Sequence, residues 1–132
     1  MAGKVPTNGL NHGIPFFTGD TGSIYTHDVS GTDSTATYNT AYGLTALDAV
    51  TTADFVTAIG YDAGGAINTG GYNTLIGHQA GHAITSGNVN TAVGHHALGT
   101  NTVGDRNTAV GSGALGTFNP ASNTDDNNTA VG

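Results

Sequence analysis

The 132-residue chain is predicted to be all-β, a parallel β-solenoid or β-roll of 17-residue coils preceded by an irregular amino-terminal segment. Three observations carry that prediction. A six-residue phrase ending in glycine returns at a fixed spacing. Within it Thr, a small residue and an apolar residue alternate as strand positions do. Gly, Asn and Thr dominate throughout, and no window shows the three-four apolar spacing of a helix.

The first 37 residues, MAGKVPTNGLNHGIPFFTGDTGSIYTHDVSGTDSTAT, lie outside the period. They are rich in turn formers, with short apolar knots at 14–17 and 23–25. They read either as an irregular leader or as an attachment segment. In the second case Phe16, Phe17, Ile24 and Tyr25 would be the anchors, because aromatic side chains carry a large share of interface energy.

From residue 38 the repeats begin. The phrases are YNTAYG (38–43), FVTAIG (55–60), YNTLIG (72–77), VNTAVG (89–94), RNTAVG (106–111) and NNTAVG (127–132). Their glycines, Gly43, Gly60, Gly77, Gly94 and Gly111, are 17 residues apart, and Gly132 follows after 21. Thr stands third in every phrase (Thr40, Thr57, Thr74, Thr91, Thr108, Thr129). An apolar residue stands fifth (Tyr42, Ile59, Ile76, Val93, Val110, Val131). Ala follows three residues after each of the first five glycines, at 46, 63, 80, 97 and 114. Side chains two apart share one face of a strand. The Thr/apolar face is expected to point inward and form the repeat core, while the Ala between them and the Asn before them face out. The glycine ends the strand with a positive φ or a bend. A weaker apolar group such as AGGAI (63–67) or AGHAI (80–84) is expected to form a second short strand, followed by a turn. Stacked coils place equivalent residues ~4.8 Å apart, so every column becomes a ladder.

Composition bounds the rest. Charged residues are 8% of the chain, with two basic residues and a formal charge of −7. That excludes the basic clusters nucleic acid requires, and no stretch is long and apolar enough to insert into a membrane as a helix. There is no cysteine, so neither a disulfide nor a thiolate metal site is possible. The amino terminus lacks the basic-then-apolar layout of a secretory signal, and synthesis in a cytoplasm is expected. Each coil holds few large apolar residues against a backbone entropy of ~1–2 kcal/mol per residue, so neighbouring chains are expected to supply buried surface.

The phrase N-T-A-V/I-G-x-x-A-L, closest at NTAVGHHALG (90–99) and NTAVGSGALG (107–116), is similar to the head repeat of YadA-like trimeric autotransporter adhesins. It resembles still more the repeat of many bacteriophage tail fibres. The resemblance covers roughly residues 38–132. It implies left-handed β-rolls, three chains side by side in a homotrimer, serving as the shaft or head of a surface appendage. By that resemblance the amino terminus would dock on another virion protein. The repeats would lead to a host receptor outside this stretch, with coils continuing past residue 132. A bacterial trimeric surface adhesin is the alternative. An ice-binding or lattice-binding β-solenoid is a third reading, and it requires the Thr column to face solvent.

No chemistry stands out, and the chain is read as neither an enzyme nor a cofactor carrier. His78 and His95 share one column and could ligate a metal on a trimer axis, but both read more simply as exposed loop residues. Asp20, Asp28 and Asp33 lie among turn residues without a calcium-loop frame, and Asp125 and Asp126 read as a solvated loop.

Overall fold

A computed structural model describes residues 3–4, 17–18, 23–26, 34–122 and 127–132. Among the described residues nine short strands form one sheet in chain order. They are β1 (Gly3–Lys4), β2 (Phe17–Thr18), β3 (Ile24–Tyr25), β4 (Thr40–Tyr42), β5 (Thr57–Ile59), β6 (Thr74–Ile76), β7 (Thr91–Val93), β8 (Thr108–Val110) and β9 (Thr129–Val131). The first two pairings are antiparallel, and every pairing from β3 to β9 is parallel. Thr57 lies beside Thr74, Leu75 beside Ala92 and Val93 beside Val110, so each coil contributes one rung to each column. The chain is a β-solenoid, all-β among the described residues.

The repeats set the rungs, but the faces are the reverse of the expectation. Ala41, Ala58, Leu75, Ala92 and Ala109 are buried, and the Thr and fifth-place residues on either side point out. Thr40, Thr57, Thr74, Thr91 and Thr108 therefore lie outside the core, as do Tyr42, Ile59, Ile76, Val93 and Val110. The reason is width. The interior is already crossed by the second Ala column (Ala46, Ala63, Ala80, Ala97, Ala114) and by Val50, Ile67 and Ile84. What space remains beside the strand suits an Ala rather than a row of Val and Thr.

The Asn before each Thr also turns inward. Asn39, Asn73, Asn90 and Asn107 are fully buried. Each side-chain oxygen accepts the next coil's backbone N–H: Val56 N to Asn39 Oδ1 is 2.8 Å, Asn90 N to Asn73 Oδ1 2.8 Å, and Asn107 N to Asn90 Oδ1 2.9 Å. Their Nδ2 groups reach carbonyls such as Gly87 O (2.8 Å) and Gly104 O (2.9 Å). A buried amide is tolerated where its hydrogen bonds are met in full, and here the stacking meets them.

Among the described residues no second strand forms in the coil. After each glycine the chain turns, because the second and fourth residues beyond it take positive φ. Thr45 and Leu47 have φ 59° and 57°, and His96 and Leu98 have 58° and 51°. Hydrogen bonds still join coil to coil there, as in Leu47 N to Ala63 O (3.1 Å) and Gly81 N to Ala97 O (2.8 Å). The turns are thus laddered without being extended.

The ladder also starts before residue 38. β3 pairs in parallel with β4, Ile24 beside Thr40 and Tyr25 beside Ala41. Ser23 stands in for the missing Asn, its Oγ accepting Asn39 N at 3.0 Å. The large Tyr25 fills the terminal coil from the Ala position.

Candidate functional site

The outward side of the sheet is the candidate site. Its centre is the Thr column and, two residues on, the column Tyr42, Ile59, Ile76, Val93, Val110 and Val131. On one flank the first residue of each phrase gives Tyr38, Phe55, Tyr72, Val89, Arg106 and Asn127. On the other flank the residue after each glycine gives Leu44, Tyr61, His78, His95 and Ser112. Every exposed large apolar side chain of the described residues lies in one of these columns, from Tyr38, Phe55 and Tyr72 to Leu44 and Tyr61, apart from Ile24. Ile24 itself is registered with Thr40, at the end of the same face. Thr52, Asn68, Thr69 and Thr85, exposed elsewhere on the coils, are polar.

Side chains in the flanking columns stack along the rod. Tyr38 and Phe55 have ring centroids 5.1 Å apart at 15°, and Phe55 and Tyr72 4.9 Å apart at 18°. Across the face Tyr61, His78 and His95 continue the same way, 5.2 Å between each pair. The spacing follows from the interstrand repeat, which sets similar rings at stacking distance with no further design. The first-place column is held with φ between 54° and 67°, from Tyr38 through Asn127. That is a costly conformation for aromatic and β-branched residues, about 1–2 kcal/mol each. The interlocking hydrogen bonds of the ladder hold it, including Phe55 N to Thr37 O (3.1 Å) and Tyr72 N to Asp54 O (2.9 Å). Asp54 supports the same corner by accepting Thr37 N at 2.7 Å and Thr37 Oγ1 at 2.8 Å.

The predicted site residues distribute as follows. Gly43, Gly60, Gly77, Gly94 and Gly111 adopt φ between 125° and 141° at the strand ends. Of the attachment candidates, Phe16 lies outside the described residues, and Phe17 is described only by its backbone in β2. Ile24 is exposed, whereas Tyr25 is fully buried, so it packs the core and offers no surface anchor. Asp20, Asp28, Asp33, Asp125 and Asp126 also lie outside the described residues. His78 and His95 do share a column, stacked at 25°. Imidazole lone pairs lie in the ring plane, so within one chain rings facing each other in this way do not aim their nitrogens at one point. Among the described residues no group of three or more His, Asp or Glu could hold a metal, and no pocket opens.

The aromatic first-place column was missed at the sequence level. Its signal was present in the letters Y, F and Y that open three successive phrases, and it fades into Val89, Arg106 and Asn127. No family model, no curated protein and no solved structure matches this chain.

Proposed function

We propose that the chain is a structural subunit of a bacteriophage fibre, a tail fibre or similar virion appendage. In this reading the coils form a shaft in which three parallel copies meet through the Thr/aliphatic face. The amino-terminal segment attaches to another virion protein, and the shaft leads to a distal contact with the host surface. One observation carries the reading: the exposed large apolar side chains of the rod are gathered on a single face. A monomer gains nothing from such a stripe, which marks an interaction surface. A second copy in parallel register presents the same rungs at the same spacing, so self-association covers the stripe along its whole length. The repeat's likeness to phage fibre and trimeric adhesin repeats supports the class of appendage.

The outward Thr column favours a second reading, a lattice-binding solenoid such as an ice-binding protein, and it weakens the fibre reading to that extent. Against it, the neighbouring column varies in size from Tyr42 to Ile76 to Val93, and aromatic rings stand along one flank. That relief suits a protein partner better than a crystal plane. Light scattering on the purified chain separates the two. A mass three times the 13.1 kDa of one chain is expected for the fibre. A monomer that shapes ice crystals or depresses their growth would establish the lattice reading instead.

A further inference from the structure

We propose that coils 77–99 form a proton-sensitive joint, in which a cluster of four histidines loosens the solenoid locally on mild acidification. His78 and His95 stack at 5.2 Å, His95 and His96 lie 5.8 Å apart, and His82 and His96 4.9 Å apart. All four belong to two adjacent coils, and the ladder holds the backbones that carry them at a fixed spacing, so the four imidazoles stay crowded whichever rotamers they take. Neutral imidazoles stack without penalty. One proton in the column is tolerated, since Tyr61 lies against His78 at 5.2 Å and an aromatic face attracts a cation. A second proton on a neighbouring ring sets two like charges at ring-contact distance.

His82 adds an independent cost. Its Nδ1 is buried and has no hydrogen-bond partner. A doubly protonated imidazole carries a donor on both nitrogens, so protonation leaves an N–H with no acceptor inside the fold. The charges around the cluster do not compensate. Asp62, in the column of His96 with Gln79 between them, accepts Gln79 Nε2 at 3.3 Å. Asp48 is two coils below His82 in its column, with Gly65 intervening, and Ser112 and Gly113 follow His95 and His96 in the next coil. Imidazoles as a class take up protons between about pH 5 and 8. Each added proton therefore works against the folded coil, so acid is the direction in which the joint loosens.

The test is thermal unfolding of the 132-residue chain at pH 7.5 and 5.5, together with amide exchange at each pH. The wild type is compared with H78Q/H95Q and with H78Q/H82Q/H95Q/H96Q. The wild-type Tm is expected to fall on acidification by on the order of 5 °C more than that of the fourfold variant, with exchange rising first in residues 77–99. An equal fall in both, or exchange that rises evenly along the rod, overturns the proposal. Should the fourfold variant not fold, H78Q/H95Q alone decides, because both side chains are exposed. It must then show a smaller fall than the wild type. The readout lies within one chain, so a monomeric mass would refute the fibre assembly without touching this result.

Discussion

Two residue types define the rung. The glycine closing each strand is needed both for its φ and for its lack of a side chain. At Gly77 the φ is 135°, and a Cβ would lie 2.6 Å from the carbonyl oxygen of Gly94, one coil on. The overlap cannot relax, because the opposing atom is backbone in the next rung. Gly77→Ala is therefore expected to lower unfolding free energy by about 2–5 kcal/mol, read by denaturant titration. The buried Asn is the second. Asn90 Oδ1 accepts both the N–H and the Nδ2 of Asn107, at 2.9 and 3.2 Å. Asn90→Ala strands those donors in the interior, and a loss of about 2–4 kcal/mol is expected from the same titration. Asn90→Ser should recover part of it, since Ser23 Oγ already performs this task at the first rung.

Each coil is packed as a unit of compensating sizes. Where the strand carries Leu75 in place of Ala, the fourth residue after the glycine is Gly both in the same coil (Gly81) and in the preceding one (Gly64). A Cβ on Gly81 would meet Leu75 Cδ2 at 2.7 Å and Ile84 Cδ1 at 2.9 Å, and one on Gly64 would meet Leu75 Cδ1 at 2.7 Å. In the coils of Ala41 and Ala92 the same place holds Leu47 and Leu98, at a similar positive φ. Leu75→Ala alone should cost about 2–5 kcal/mol through the cavity it leaves. Gly81→Leu alone should also destabilise, by overlap with Leu75. Combined, they should lose less than the sum by about 1 kcal/mol or more, a coupling measurable in a double-mutant cycle. Additive losses would show that the two sites do not share the volume. The period, the strand positions and the closing glycines were legible in the sequence, because backbone constraints repeat in every copy. The facing was not. Thr-Ala-Val presents an apolar candidate on either side, and Asn beside Ala argues for solvent until its hydrogen bonds to the next coil are counted. Those bonds run between residues 17 apart and exist only once coils stack. The first rung was hidden for a related reason: Ser23, Ile24 and Tyr25 replace the Asn, Thr and Ala of the phrase, so the pairing repeats while the letters do not.

At the scale of the molecule the reversed facing moves the proposed assembly surface from the Ala column to the Thr/aliphatic column. Cross-strand pairs on that face contribute modestly within one chain, about 0.2–1 kcal/mol each. A charge there should accordingly leave the solenoid folded while defeating its assembly. Ile76 is 37% exposed at the centre of the face, between Ile59 and Val93. In a parallel trimer Ile76→Glu would bring three carboxylates into an apolar contact, where burying even one unpaired charge is prohibitive. Thr69→Glu, on the polar side of the preceding coil, serves as the control. Both variants are expected to keep the β circular dichroism spectrum and to melt within about 1 kcal/mol of the wild type. Light scattering should then give the mass of a single chain for Ile76→Glu and the assembled mass for Thr69→Glu. An Ile76→Glu chain that still assembles would place the contact elsewhere on the rod. Loss of assembly in both variants would mean that added negative charge, on a chain already at −7, drives the copies apart from any position.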